Sequence, residues 1–305
     1  MTHATQATVI ADADSTRGRR LRELVHGRGV AYSVTFGGVG TLLAGAYLHS
    51  ILVIAAGPLA VAVIAAAVAF RTADRKAEAD FFASYACAHG LTLVDRTELL
   101  PLTPLLGAGD RRHCGPYMEG PLPGGGTPCG LGHFTFEVLE PEGESGSRRL
   151  EKHDFTICVV DLEPGISLYP GIFLTRRRGL FGFVDGVQWV SHANRHKVEL
   201  ECAELCERYD LYVDDAQDEL GLRELFAPSF VLWLAQHPLA PCFEYRAVPA
   251  RGTLVVYLER KLEDAGHLDW MLEATAEIAR RFGREIEERQ PTAPTNSVKA
   301  GTISS

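Results

Sequence analysis

Residues 29–70 read GVAYSVTFGGVGTLLAGAYLHSILVIAAGPLAVAVIAAAVAF, forty-two positions without one Asp, Glu, Lys or Arg. A bilayer core of about 30 Å takes roughly 20 helical residues, so one straight helix of this length would be about twice too long. Two passes fit, with the break at Tyr47-Leu48-His49-Ser50, the first helix over 30–47 and the second over 51–70. Gly57-Pro58 reads as a kink, because a turn there leaves too few residues for a second crossing. A cleaved signal peptide is excluded by length and position, since its apolar region is short and lies near the start. A single buried core helix is the competing reading. Gly37, Thr41 and Gly45 on the first helix, and Ala62, Ala66, Ala65 and Ala69 on the second, would let two backbones approach closely or would simply face lipid.

Flanking charge orients this hairpin. Arg17, Arg19, Arg20, Arg22 and Arg28 precede it, Arg71, Arg75 and Lys76 follow it, and the turn between has none. The positive-inside bias places both termini in the cytoplasm. Seven cysteines (87, 114, 129, 158, 202, 206 and 242) with no CxxC pair suit a reducing compartment better than a disulfide framework. All 69 charged residues lie outside the apolar block, and 30 Lys+Arg stand against 39 Asp+Glu, a net charge of -9. That balance argues against a nucleic-acid partner, which requires phosphates to be neutralised.

The chain of 305 residues has room for about two domains. It divides into a polar segment 1–28, the transmembrane hairpin 29–70, a cytoplasmic α+β domain 71–289 and a disordered tail 290–305. No Gly or Pro interrupts 71–89, and Phe81, Phe82, Tyr85 and Ala88 fall on one face, so the second membrane helix would continue as a stiff rod until Gly90 stops it. Alternation predicts strands at 91–94, 112–119, 133–139, 153–162, 172–175, 189–190 and 197–202. After a strand at 209–213, Asp214 or Asp215 would cap a helix to about Phe226, and Pro228 would open another through Gln236. A hairpin is expected at 243–247 and 253–258. The closing helix, 267–288, carries Leu268, Met271, Leu272, Ile278, Ala279, Phe282 and Ile286 as one apolar stripe. Strand pairs on short loops, with helices gathered at the ends, favour an antiparallel α+β domain.

The order of these features resembles an uncharacterised family of bacterial two-pass membrane proteins with a C-terminal domain of unknown function. The likeness rests on the hairpin, ADFFASYACAHGLTLV (79–94), HFTFEVLE (133–140), FTICVVDLEPGISLYPGIFLTRR (155–177) and VELECAELCERYDLYVDD (198–215). It implies fold and location, and supplies no activity and no site residues.

Several clusters carry potential chemistry. His192 and His196 form HxxxH beside Glu199 and Glu201, but the segment reads as loop and strand, without the HExxH glutamate of a zinc site. His113, Cys114, Cys129 and His133 bracket a glycine-rich hairpin, yet adjacent strand residues point to opposite faces. Cys202 and Cys206 would adjoin on a helix as an incomplete metal site. PLPGGGTPCGLG (121–132) lacks the Gly-Lys-Ser/Thr ending of a phosphate loop, and residues 143–147 (GESGS) are not GxSxG. Arg176, Arg177 and Arg178 before Leu180, Phe181 and Phe183 would meet anionic lipid or solvent. The acidic stretch 199–219 lacks a calcium-loop pattern. No catalytic, cofactor or metal residues are therefore assigned.

The expected function is a membrane-anchored cytoplasmic binding or scaffolding module. Its partners would be the bilayer and a protein or a second copy at the inner face. The alternative is a tethered hydrolase using scattered groups such as His153, His192 or His196. A hairpin pore is disfavoured, because His49 is the only ionisable residue of the block.

Overall fold

The computed structural model describes residues 39, 51–96, 98–139, 150–162, 169–177, 194–248 and 251–289. The first element is α1, Ile51–His89, a 39-residue helix about 58 Å long. Then follow β1 (Thr92–Val94), α2 (Pro104–Gly107), β2 (Arg111–Pro121), β3 (Pro128–Leu139), β4 (Leu150–Leu162), β5 (Gly171–Arg176) and β6 (Arg195–Val198). The chain continues through α3 (Ala203–Arg208), β7 (Tyr209–Asp214), α4 (Glu219–Leu225), α5 (Pro228–Gln236), β8 (Cys242–Val248), β9 (Arg251–Leu258) and α6 (Ala265–Arg289).

Among the described residues the strands form one nine-stranded sheet, ordered β1-β2-β3-β4-β9-β8-β5-β7-β6, with every pair antiparallel. Register sorts its faces. Leu131 opposes Cys158, which opposes Val256 and then Phe243, and this face receives α6. Phe243 and Tyr245 both meet Phe282 of α6, at ring-centroid distances of 5.8 and 4.6 Å. The opposite face carries Phe134, Phe136, Phe155 and Tyr257, and α2 is tied to it by the Leu105 amide, which donates to Glu244 Oε2 at 2.9 Å. Glu244 is fully buried. Its carboxylate thus answers a backbone donor that burial would otherwise leave costly.

The predicted transmembrane hairpin is overturned: among the described residues no helix is long and apolar enough to cross a membrane. The expected second pass, 51–70, is the first half of α1, and nothing ends the helix at the apolar-to-charged boundary, so it runs on through Arg71, Arg75 and Lys76. Its last four turns are a structural element of the folded unit, with Phe81, Phe82, Tyr85 and Ala86 buried. Ala88, expected on that face, is exposed. The expected first pass, 30–47, lies outside the described residues apart from Val39, which is helical and exposed.

Two smaller corrections concern the last third. The strand expected over 197–202 ends at Val198 and gives way to α3. The α4 cap is Asp218, whose carboxylate accepts from the Gly221 amide at 2.8 Å, and not Asp214 or Asp215. Asp214 is still in strand β7.

Candidate functional site: a glycine-walled groove along the closing helix

At one end of the sheet the β2–β3 loop, 122–127, stands opposite the C-terminal half of α6. Between them lies a groove of about 720 Å3. That volume falls within the range of small-molecule and peptide pockets. Its floor is apolar, made by Leu122, Leu162, Ala276, Ala279 and Ile286. Its rim is charged: Asp161 from the end of β4, and Glu273, Glu277, Arg280, Arg284 and Glu287 along α6. Arg280 pairs with Glu277 one turn before it, and Asp161 lies 3.9 Å from Arg251.

Local sequence explains both walls. The β2–β3 turn uses Gly124 and Gly126 at φ of +75° and +68°, the left-handed region that glycine enters without a Cβ penalty. The loop is therefore only six residues, shorter than 120–132 as expected, because both strands extend into the Gly/Pro stretch. On α6, the apolar stripe faces the sheet, and Leu268, Met271, Leu272, Ile278, Phe282 and Ile286 are all buried. Gly283 lies in the unbroken helix where it lines the groove, and a Cβ built there meets nothing within 4 Å. Packing in the free protein does not require a glycine at this place.

Two polar clasps hold α1 against this scaffold. His133 of β3 is fully buried, with Nε2 donating to the Leu262 carbonyl at 3.0 Å and Nδ1 3.2 Å from Glu78 Oε1 of α1. A carbonyl only accepts, so Nε2 is the donor to Leu262. Phe82 packs edge-on to the same ring at 5.0 Å. At the end of α1, Asp269 of α6 accepts from Tyr85 Oη at 2.8 Å and faces His89 Nε2 at 2.9 Å, while the His89 ring stacks on Tyr85 at 4.1 Å. Burial first, and Asp269 second, push the Tyr85 hydroxyl well above its ordinary range, which keeps it a donor. Neither clasp lines the groove. Their role is to fix the two long helices to one face.

The candidate residues from sequence are dispersed. His153 stacks on Phe136 of β3 at 4.8 Å and lies 3.3 Å from Glu151, whereas His196 pairs with Asp215 at 3.2 Å on edge strand β6. Five strand positions separate β4 from β6 in the sheet, about 24 Å. His153 and His196 of the hydrolase alternative are therefore not brought together. His192, the third of them, lies outside the described residues, as do residues 143–147, Arg178, Leu180, Phe181, Phe183 and the strand expected at 189–190.

The hairpin cluster separates as well. His113 opposes Thr135 and Cys114 opposes Phe134, on opposite faces, while His133 is engaged by Glu78. Burial pushes the Cys114 thiol up to about 11. Cys129 adjoins Cys158, and that thiol hydrogen bond, with burial, drives the Cys158 thiol well up. Cys202 precedes α3, and Cys206 Sγ donates to the Leu200 carbonyl at 3.2 Å. Arg177 donates to the Cys206 carbonyl at 2.8 Å. Among the described residues no group of three or more His, Cys, Asp or Glu side chains is placed to hold a metal ion.

No family model, curated protein or solved structure matches this chain. The functional assignment therefore rests on the groove and its side chains.

The groove joins residues about 160 positions apart in sequence, such as Gly124 and Arg284, so no local motif announces it. One signal was available. An isolated glycine inside a strong helical pattern costs about 1 kcal/mol relative to alanine, and it asks for a packing or functional reason.

A second surface lies along the first half of α1. Val63, Ile64 and Val68 are 61%, 63% and 59% exposed, and Arg71, Arg75 and Lys76 just beyond them are exposed too. Whatever covers this surface is not among the described residues.

Proposed function

We propose that this chain is a binding module that holds a partner protein in the groove between the β2–β3 loop and α6. The observation that carries this reading is Gly283. A helix-interior glycine weakens α6 where a methyl group would meet no atom within 4 Å, which makes sense if that space is reserved for an occupant that approaches the helix backbone. On the facing loop Gly124 and Gly125 line the second wall beside Leu122, Pro123 and Thr127, and a Cβ built at Gly124 likewise meets nothing within 4 Å. An apolar floor with a charged rim supplies the remaining elements of a recognition site, burial at the centre and polar contacts around it.

The test fills the groove. Full-length chain and its Gly283→Trp variant are used in parallel as affinity baits, with bound proteins quantified by mass spectrometry. The proposal expects at least one protein retained by the native chain and lost with Gly283→Trp, while the variant melts no lower than the native chain. Identical retained sets would refute it.

A further inference from the structure

Resting on the assignment of the groove as a binding site, we infer that its occupant is an extended, cationic segment of polypeptide. Three features of the groove converge on lysine- and arginine-bearing chain.

The rim has an excess of acid, with four carboxylates (Asp161, Glu273, Glu277 and Glu287) against two guanidinium groups. Arg280 is already committed to Glu277, and Arg251 stands 3.9 Å from Asp161 at the margin. Glu273 and Glu287, both exposed, remain as the acidic poles of the site, with Arg284 between them. The whole chain, at a net charge of -9, adds a long-range attraction of the same sign.

The floor and rim together match the two parts of a basic side chain. Lysine and arginine lay their methylene stems on apolar surface while the charged head reaches a polar edge. Here Leu122, Leu162, Ala276, Ala279 and Ile286 offer that surface in the same groove as the carboxylates. A compact inorganic cation would have no use for such a floor.

Length points to an extended chain. Glu273 and Glu287 are fourteen residues apart on one helix, about 21 Å at 1.5 Å per residue. That distance spans roughly six residues of extended polypeptide at about 3.3 Å each. Gly283 on one wall and Gly124 on the other carry no Cβ, and one built at either meets nothing within 4 Å, which leaves a main chain room to approach at those two points.

The probe is fluorescein-labelled hexalysine, titrated with full-length protein by fluorescence anisotropy, with labelled hexaglutamate and unlabelled spermine in parallel. Hexalysine is expected to bind and hexaglutamate not to. Glu273→Gln/Glu287→Gln should weaken hexalysine at least tenfold, and Glu273→Lys/Glu287→Lys should shift the preference to hexaglutamate. Both pairs are exposed, so melting temperatures should stay at the native value. Binding to hexalysine that is unchanged in the double glutamine variant, or that survives Gly283→Trp, would overturn the inference by locating the contact elsewhere on an acidic surface. Displacement of hexalysine by spermine at equal concentration would also overturn it, because amine charge alone would then suffice. If hexalysine fails while Gly283→Trp still loses a captured protein, the cationic class falls and the binding module stands.

Discussion

Replacing Gly283 with alanine should make the free protein more stable and its groove less receptive. Gly283 lies six residues before the end of the 25-residue α6 and is not among the left-handed glycines, so alanine fits its backbone. The added methyl group meets nothing within 4 Å, so no steric penalty offsets the gain. Glycine to alanine inside a helix is worth about 0.5–1 kcal/mol. At about 2–4 °C per kcal/mol for a folded unit of this size, the melting temperature should rise by roughly 1–4 °C. Scanning calorimetry on purified full-length protein measures the shift, and urea denaturation gives the free energy independently. In the capture experiment the same variant should retain less partner than the native chain. A melting temperature that stays level or falls would mean that the methyl meets packed atoms. The glycine would then be structural, and the reserved space on which the binding assignment stands would not exist.

Further outcomes follow from the clasps and the surface. Glu78→Leu leaves the buried His133 Nδ1 without its carboxyl partner and should cost about 1–3 kcal/mol in urea denaturation; a cost below 0.5 kcal/mol would show that α1 is not held there. Tyr85→Phe removes the hydroxyl donor to Asp269 and should cost about 1 kcal/mol, and less once Asp269 is already Asn in a double-mutant cycle. Burial works to raise the Asp154 carboxyl, but hydrogen bonds from Thr135 at 2.6 Å and Lys152 at 3.1 Å, with Lys261 nearby, outweigh it and hold the group below its ordinary value. Stability from that shift is present above the unfolded carboxyl value of about 3.9 and disappears as pH falls through the folded value. Asp154→Asn, partly solvent-screened, should thus cost about 1 kcal/mol at pH 7 and progressively less below pH 4; an equal cost at pH 7 and pH 3 would contradict the assignment. Val63→Ser/Ile64→Ser/Val68→Ser should leave stability within about 0.5 kcal/mol while raising the concentration at which light scattering detects association.

Much of the fold is legible in the sequence because its strands alternate and its helices are bounded by recognisable residues. Phe155 and Ile157 repeat at period two within β4, Pro228 opens α5, and the α6 stripe from Leu268 to Ile286 is buried as its spacing predicts. Two things were not legible from local pattern. Lys197 to Cys202 alternates like a strand, yet α3 begins at Ala203, because alternation over so few residues does not separate a strand from a loop entering a helix. Hydropathy also treats residues 29–70 as an isolated block. The structure instead joins 51–70 to a helix whose far half is pinned by Glu78–His133 and by Tyr85 and His89 on Asp269. These contacts cross 55 and 184 positions of sequence, and no window reports them. The groove is invisible for the same reason, since residues of its two walls such as Gly124 and Arg284 lie about 160 positions apart in sequence.

Site-specific photo-crosslinking tests most directly whether the groove is where a partner sits. A photoreactive phenylalanine analogue is placed at Thr127 or Arg284 on the groove, and as a control at Leu100 or Leu232, exposed positions outside it. After irradiation of cells expressing the full-length chain, the two groove positions should yield a discrete common adduct that Gly283→Trp abolishes, with none from the controls. Adducts from Leu100 or Leu232 and none from Thr127 or Arg284 would contradict the account.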